Sequence, residues 1–409
     1  MQTRRSGCPL ILGTRTRHIL AREPAAGAGV GFLFVFAFFT LAAPDTFLTH
    51  ASLSSILSSQ AVPGIAAISI TLLMISGEFD LSVGSILAVS SLVFLSSTVG
   101  GTPILLAALL GIVTGCGLGL INGLLLVWTR IPSFIVTLGT MLVFRAIPLT
   151  AVSGGRIVRY ADFSREDPTI AVPGLVVLLG VSALTVIVLW IALPVLRHRE
   201  GATRVSAGLA ALASLVVVYI LLRSLDTHGL SPFARVEFNV FHILNGRADL
   251  GLPGTNYRTS IVWWLGLTGV FAFILLHTRY GNAVFATGGN SEAARVQGID
   301  VDRVRIKSFV LSGGLAALAG IIQVARLKSV DPLRGQGLEL EIIASVVIGG
   351  TLLSGGFGSV AGSAIGTALT GMLRTGLVLI SVPSNIFRGA IGAIMIGAVV
   401  INTYVRKDR

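Results

Sequence analysis

Apolar runs close to the length of a membrane-spanning helix alternate with short polar segments along the chain. A helix needs about 20 predominantly apolar residues to cross a bilayer. The candidate spans are 29–48, 56–76, 81–98, 103–128, 134–152, 173–195, 205–224, 261–277, 308–326, 341–354, 356–378 and 386–405. Gly- and Ser-rich interruptions at 76–81 and 354–356 could separate half-spans that meet inside the membrane. We therefore predict an all-α, polytopic membrane helical bundle of about 10–12 transmembrane segments with two broken or re-entrant segments.

The composition of the chain indicates that this bundle lies in a membrane, and the distribution of its basic residues indicates its orientation there. The chain is 53% hydrophobic and 12% charged, whereas soluble domains carry about 25% charged residues. Its net charge of +12 comes mainly from segments predicted to lie on one side, as the positive-inside rule expects. We therefore predict a multi-pass protein of the bacterial plasma (inner) membrane. Lipid surrounds its spans, and no nucleic-acid partner is expected.

One membrane domain, residues 29–405, makes up nearly the whole chain. A basic tail, residues 1–28, precedes this domain, and a short basic tail, residues 406–409, follows it. Both termini are predicted to be cytoplasmic. Residues 279–307 form the main cytoplasmic loop, and residues 225–260 form a long outside loop.

Two short segments, one in each half of the chain, resemble each other. Residues 76–79, Ser-Gly-Glu-Phe, lead to Gly84-Ser85, and residues 354–357, Ser-Gly-Gly-Phe, lead to Gly362-Ser363 at the same spacing. Interruptions at corresponding positions of two halves point to a transport site near the middle of the membrane. A chance likeness between two small-residue turns is the alternative, so the pattern predicts a weak two-half internal repeat.

The loop 279–307 carries the signals of a short helix with both ends marked. Asn290 is suited to cap the free amides of the first turn, and Glu292 places a negative charge in that turn. Gly298 can adopt the left-handed conformation that ends a helix. We predict a helix over about 291–297, small on one side and charged on the other, that is offered to a partner outside the membrane.

Carboxylates between apolar runs are candidates for a translocation path. Charged groups at bilayer depth are costly and often mark a pathway or a proton relay. The path residues predicted from the first interruption, its counterpart and one intramembrane amide are Glu78, Asp80, Ser82, Gly84, Asn122, Ser354 and Gly358. Capping of the next helix is an equal alternative for Asp80, and a solvated position at the membrane surface is the alternative for Glu78. An interhelical hydrogen bond is the commoner role of an amide such as Asn122.

Three arginines, Arg145, Arg374 and Arg388, also fall inside predicted spans. Each could pair with an acidic residue or extend its charged head to the membrane surface. The acidic candidates are Glu78, Asp80, Glu339 and Glu341. A position near the end of a span favours the membrane surface for Arg388, and the sequence does not decide for the other two.

Signatures of enzymes and metal sites are absent from the sequence. No glycine is followed by lysine, so the phosphate-binding loop GxxxxGK[ST] does not occur. Neither HExxH nor a cluster of cysteines and histidines suggests a metal site. We therefore predict a protein that is not an enzyme and has no cofactor, no catalytic residue and no metal of its own.

Four blocks, at residues 76–93, 131–147, 280–305 and 339–366, carry a resemblance to a known family. The chain resembles the membrane permease subunits of ATP-binding-cassette (ABC) sugar importers of the ribose/xylose type over about residues 50 to 405. Within that type it is most similar to xylose transport permeases. Glu78 two residues before Asp80, and the extra pair of spans 173–195 and 205–224, are similar to the xylose group.

The resemblance implies a permease that moves a monosaccharide, a pentose such as xylose, across the plasma membrane. A second permease copy, in a homodimer, would line the path. A cytoplasmic ABC ATPase subunit would bind the ATP, and an extracytoplasmic sugar-binding protein would deliver the sugar. Such permeases are similar in placing a cytoplasmic helix in a groove of the ATPase. The matching positions are Gly289, Asn290, Glu292, Ala293, Ala294, Arg295 and Gly298.

Three other functions stay open at this point. A proton-coupled secondary transporter would use Glu78 and Asp80 as its relay. A related ABC permease would carry a non-sugar solute such as a branched-chain amino acid. A membrane scaffold without transport would recruit a partner through residues 279–307.

Overall fold

The computed structural model describes residues 24–152, 156–173, 235–248 and 254–383, with four isolated positions beyond them. Several predicted features fall largely or wholly outside these residues. They are the two terminal tails, the spans 173–195, 205–224 and 386–405, and Arg388.

Thirteen α-helices make up most of the described residues. They are α1 (Pro24–Ala42), α2 (Pro44–Phe47), α3 (His50–Ile75), α4 (Val83–Val99), α5 (Ile104–Thr129), α6 (Ser133–Ala151), α7 (Val240–Asn245), α8 (Thr259–His277), α9 (Arg279–Gly289), α10 (Ser291–Val296), α11 (Val301–Leu327), α12 (Leu338–Ile348) and α13 (Val360–Leu379). The strands are β1 (Val158–Arg159), β2 (Thr169–Pro173), β3 (Arg235–Asn239) and β4 (Ser329–Val330), paired antiparallel as β1 with β4 and β2 with β3.

Among the described residues, five helices are long and apolar enough to cross a membrane, namely α3, α5, α6, α8 and α11. This helical architecture confirms the predicted polytopic all-α membrane bundle. The largest difference in helix bounds is at α11, which begins seven residues before the predicted span 308–326. Asp300 accounts for it, because its Oδ1 accepts a hydrogen bond from the amide of Arg303 at 3.0 Å and so caps the extra turns.

Helices α3 and α11 form the buried centre of the bundle. In their most apolar stretches 89% and 72% of the residues are buried, against 33% or less in α5, α6 and α8. Small residues let α5 approach α11 closely. A Cβ atom at Gly119 would overlap the carbonyl oxygen of Phe309, and one at Gly313 would overlap that of Gly115. Helix α5 therefore packs on α11 through backbone contacts.

The two ends of the bundle differ in structure. Helix α8 ends and α11 begins at the end that carries residues 279–307, which is called the loop end. The strand pairs follow α11 and precede α8 in the chain, so they lie at the opposite, strand end. The predicted long loop 225–260 contributes β3 and α7 there.

The two predicted interruptions behave differently. Helix α12 has 11 residues and is about 16 Å long at 1.5 Å per residue, too short to cross a membrane. The chain before it returns into the bundle, where Gly335 packs against the backbone of Gly84. Segment 338–348 is thus re-entrant. At the first interruption the half-span prediction is wrong for the preceding segment, because α3 is a full-length helix of 26 residues that ends where Gly77 adopts φ +86°.

Candidate functional site

Helix α10 lies in the middle of the polar loop and has the ends predicted for it. The Oδ1 atom of Asn290 accepts a hydrogen bond from the amide of Ala293 at 2.9 Å, and Glu292 lies in the first turn. Gly298 has φ +81°, and its amide donates to the carbonyl oxygen of Arg295 at 3.0 Å. The local capping signals were therefore sufficient to place this helix within one residue.

The side chains of α10 divide into an inner and an outer face. Ala294 is buried at 4% exposure. The residues exposed to solvent among those predicted to contact an ATPase are Gly289, Asn290, Glu292, Ala293, Arg295 and Gly298. Val296 is also 85% exposed, although it was not among the residues predicted from the sequence. An apolar side chain on the outer face of a capped helix in a polar loop is the signal that could have identified it.

Two kinds of contact fasten α10 to the bundle. Nη2 of Arg295 lies 2.6 Å from Oδ1 of Asp302 in the first turn of α11. On the other side, the end of α9 meets the backbone of the bundle at the glycine junction, which consists of Gly77, Gly288, Gly289, Gly355 and Gly356.

The glycine junction is a contact between main chains. A Cβ atom at Gly288 would overlap the carbonyl oxygen of Ile75, and one at Gly355 would come within 2.8 Å of the Cα of Gly77. The amide of Gly356 donates to the carbonyl oxygen of Ile75 at 2.8 Å. The two segments of the predicted repeat therefore meet each other at the loop end, beside α9, with Gly77 and Gly355 at φ +86° and +82°.

Glu78 is the nearest carboxylate to this junction. It is only 6% exposed, and its Oε1 lies 2.7 Å from Nε of Arg305 on α11. The pair is ionic rather than a well-aligned hydrogen bond, since the Nε–H of Arg305 does not point at an acceptor. Glu78 has no basic residue near it in the sequence, but Arg305 lies beside it in the fold. The Glu78 side chain is buried rather than solvated.

Asp80 forms the centre of a hydrogen-bonded network inside the bundle. Its Oδ1 accepts from the amide of Ser82 at 2.8 Å and from the Ser82 hydroxyl at 2.6 Å, and its Oδ2 accepts from Ser312 at 2.9 Å. Ser82 in turn accepts from Nδ2 of Asn122 at 2.8 Å. The network joins the segment between α3 and α4 to α5 and α11, and all four side chains are fully buried.

Of the two structural alternatives considered for members of the network, only that for Asn122 is met. Asp80 accepts the amide of Ser82, but Ser82 is itself the N-cap of α4 and no side chain caps this helix, which begins at Val83 rather than at residue 81. Asn122 bridges helices as intramembrane amides commonly do.

The remaining predicted path residues lie at two different levels. Gly84 lies against Gly335 and the carboxylate of Glu339. Ser354 is exposed beside the glycine junction, and Gly358 is buried against Thr351 and Ile75. The structure thus brings Glu78, Asp80, Ser82 and Asn122 close together and places Ser354 and Gly358 at the loop end.

Two of the three intramembrane arginines form ion pairs. Nη2 of Arg145 on α6 lies 3.5 Å from Oε1 of Glu339, and Nη2 of Arg374 on α13 lies 2.7 Å from Oε2 of Glu341. Both partners belong to the first turn of the re-entrant helix α12. Within the described ranges, no group of three His, Cys, Asp or Glu side chains could hold a metal ion.

Comparison with known proteins identifies the family to which this chain belongs. A family model described as "Branched-chain amino acid transport system / permease component" matches residues 52–399. The xylose transport system permease protein XylH of Escherichia coli (strain K12) is 33% identical over 360 residues, which cover 87% of this chain and 86% of the relative.

Two further relatives agree with this match. The corresponding XylH protein of Haemophilus influenzae is 30% identical over 386 residues, or 92% of this chain and 96% of the relative. The ribose import permease protein RbsC of Escherichia coli (strain K12) is 30% identical over 356 residues, or 87% and 86%. No solved structure matches the chain. These relatives confirm the resemblance to ribose/xylose-type permeases, and the chain belongs to the family of permease components of the branched-chain amino acid transport type.

Proposed function

We propose that this chain is the membrane-spanning permease subunit of an ABC importer that moves a monosaccharide, a pentose such as xylose, across the plasma membrane. The observation that carries the proposal is α10, a capped helix outside the spans whose outer face is exposed and whose base is fixed to the bundle. Such a helix is suited to receive a force from a partner. The sugar is supported by the names of the xylose and ribose permeases to which the chain is similar.

The partner at α10 is a cytoplasmic ATPase subunit, which binds the ATP, since the sequence offers no phosphate-binding loop of its own. Glu292, Ala293, Arg295 and Val296 form the contact surface. Small and apolar side chains at the centre of such an interface allow close packing, and charged ones suit its rim. Gly289, Asn290 and Gly298 fix the shape of the helix, and Ala294 packs its inner face.

The other partners follow from the direction of import. The loop end and both termini are cytoplasmic, and the strand end receives an extracytoplasmic sugar-binding protein. A second copy of the chain completes the path as a homodimer, and lipid covers the remaining apolar surface. The protein itself performs no catalysis.

Glu78, Asp80, Ser82 and Asn122 remain predicted path residues. In the structure Asp80, Ser82 and Asn122 are joined by hydrogen bonds inside one copy of the bundle, and Glu78 pairs with Arg305. We propose that they line the path in a conformation in which α4, α5 and α11 have separated. Gly84, Ser354 and Gly358 flank them, Gly84 towards the middle of the bundle and the other two at the loop end.

The other functions are not favoured. Family membership supports an importer subunit rather than a proton-coupled transporter or a scaffold. The family description names branched-chain amino acids, whereas the similar curated proteins are named for xylose and ribose. The sugar is therefore the proposed substrate, and an amino acid is the competitor to test.

Uptake into vesicles tests the proposal. The permease is reconstituted with its ATPase and sugar-binding protein, and uptake of labelled D-xylose, D-ribose and L-leucine is measured with and without internal ATP. We expect ATP-dependent uptake of a sugar and none of leucine. Uptake driven by a proton gradient without ATP, or uptake of leucine alone, would contradict the proposal.

A further inference from the structure

A polar cleft on the side of the bundle lies apart from the buried network around Asp80. Its volume is about 570 Å³, and its lining residues are Arg145, Leu333, Gln336, Gly337 and Glu339. Arg145 comes from α6, and the other four belong to the re-entrant segment that leads into α12 or to its first turn. Only one of the lining side chains, Leu333, is apolar.

The cleft lies about midway along the bundle. The segment that lines the cleft packs against α4 at Gly84, through Gly335. On one side of Gly84 along the chain, Asp80 contacts Ser312 of α11, and on the other side Leu87 contacts Gly320 of α11. Ser312 and Gly320 flank the middle of α11. Charged side chains at this depth are strongly disfavoured in hydrocarbon. The cleft therefore faces water or another protein surface.

A second ion pair indicates that the neighbouring surface also faces water or another protein rather than lipid. Arg374, inside α13, pairs with Glu341, two residues after Glu339, and its side chain is 42% exposed. An exposed guanidinium within a span is tolerated where the surrounding surface is hydrated or covered by protein. Both sides of the first turn of α12 thus carry a charge pair.

Glu339 has hydrogen-bonding capacity that the described residues do not use. Its Oε1 accepts from the amide of Gly337 at 3.2 Å and pairs with Arg145. Its Oε2 is buried and has no hydrogen-bond partner among the described residues, in a side chain that is only 7% exposed. A buried carboxylate oxygen without a donor is unfavourable, but Oε2 lies against the backbone of α4 at Gly84, so it becomes an acceptor for a hydroxyl group only when the re-entrant segment moves away from α4.

We infer that this cleft is a low-affinity subsite for a monosaccharide in transit, with Glu339 accepting from sugar hydroxyls and Arg145 and Gln336 donating to sugar oxygens. The inference rests on the proposed function and names the residues that touch the sugar. Neighbouring hydroxyl groups donate and accept at once, which matches a carboxylate beside a guanidinium. The single leucine of the cleft offers little apolar surface for the branched side chain of an amino acid such as leucine.

Gly84 has a positioning role at this cleft. A Cβ atom there would overlap the carbonyl oxygen of Gly335 and lie 2.8 Å from Oε2 of Glu339. Glycine at this position lets the re-entrant segment bring the carboxylate against α4. Gly84 therefore acts on the sugar through Glu339.

Saturation-transfer NMR on the full-length permease in detergent tests the inference without the partner proteins. Millimolar D-xylose, D-ribose and L-leucine are the probes. We expect transfer to a sugar in the wild type and unchanged binding after Leu340→Ala. Binding should be about tenfold weaker after Glu339→Gln, as for the loss of one hydrogen bond to a charged group, and roughly fivefold weaker after Gln336→Ala, as for the loss of one between neutral groups. Leu340 is the matched control, because it is 64% exposed on the same helix and does not line the cleft.

Two results would overturn the inference. One is the absence of transfer to either sugar, and the other is equal binding in all variants. Stronger transfer to leucine would reassign the cleft to an amino acid. Thermal unfolding identifies a variant that fails to fold, and Gln336→Ala then carries the test. Wild-type vesicles that lack ATP-driven uptake, while the NMR contrast persists, would count against the proposed function alone.

Discussion

Nε of Arg305 lies 2.7 Å from Oε1 of Glu78, so an ion pair joins the start of α11 to the segment between α3 and α4. On the same helix, Asp302 pairs with Arg295 of α10. Helix α11 therefore holds the exposed helix at one point and the buried interior at another. A displacement of α10 would therefore be transmitted to Glu78 through a single rigid helix, α11.

Removal of Arg305 tests how much this pair contributes to stability. Arg305→Ala leaves the carboxylate of Glu78 buried without its cation, and we expect the free energy of unfolding to fall by about 3 kcal/mol, as for other broken buried pairs. Thermal unfolding in detergent measures the loss. Adding Glu78→Gln should restore part of it, since the unpaired charge is then gone.

Arg303 provides the control for that experiment. It pairs with Asp300 at 2.8 Å but is 79% exposed. We expect Arg303→Ala to change the stability by less than about 0.5 kcal/mol, because exposed ion pairs contribute little. Equal losses for the two arginines would show that the Glu78 pair has no special role.

The glycine junction predicts that alanine lowers the stability strongly at one of two adjacent glycines and weakly at the other. Gly288→Ala should destabilise the protein by about 1–3 kcal/mol, since the new methyl group meets the carbonyl oxygen of Ile75 in a packed contact. Gly289→Ala should have a far smaller effect, because no atom lies within 4 Å of its Cβ position. Unfolding midpoints of the two variants, compared at equal protein concentration, decide the matter. Loss of stability in Gly289→Ala alone would refute the close contact at Gly288.

Two adjacent alanines of α10 separate contact with a partner from stability. Ala293 is exposed, so Ala293→Trp should leave the unfolding temperature unchanged and reduce ATP turnover of the assembled transporter at least about tenfold, by keeping the ATPase surface from closing on α10. Ala294 is buried, so Ala294→Trp should lower the unfolding temperature itself. Normal turnover in a folded Ala293→Trp variant would remove the coupling role from this face.

The cap of α10 can be tested by hydrogen exchange. Asn290→Ala removes the acceptor of the Ala293 amide and should destabilise the six-residue helix by about 1 kcal/mol. This corresponds to roughly fivefold faster exchange in peptides that cover residues 291–296. Gln297→Ala, which changes an exposed side chain at the other end, is the control and should exchange at the wild-type rate.

The parts predicted well from sequence depend on local signals. Asn290 and Gly298 mark the ends of α10 because capping depends on residues a few positions apart. The spans at α5 and α6 follow from runs of apolar residues. The end of α3 was predicted within one residue, but its start at His50 and its full length were not, because Gly/Ser-rich sequence does not reveal whether a preceding helix has full length.

The side-chain pairs could not be derived from sequence. Arg305 with Glu78 and Arg145 with Glu339 unite residues far apart in the chain, and only the packing of α6, α11 and α12 brings them together. The cleft forms because residues 331–337 return into the bundle, and no local sequence pattern predicts this return. Val296 was missed because a single apolar residue in a polar loop is unremarkable until its exposure is known.

The glycine junction also bears on how such a protein can change over evolutionary time. Because main-chain atoms of three segments touch there, no side chain can take another rotamer to absorb a substitution. A change at Gly288, Gly355 or Gly356 needs a matching shift in the neighbouring segments, whereas the exposed residues of α10 can each vary alone. New partner specificity should therefore arise on the outer face of α10, while the geometry that carries motion inward stays fixed.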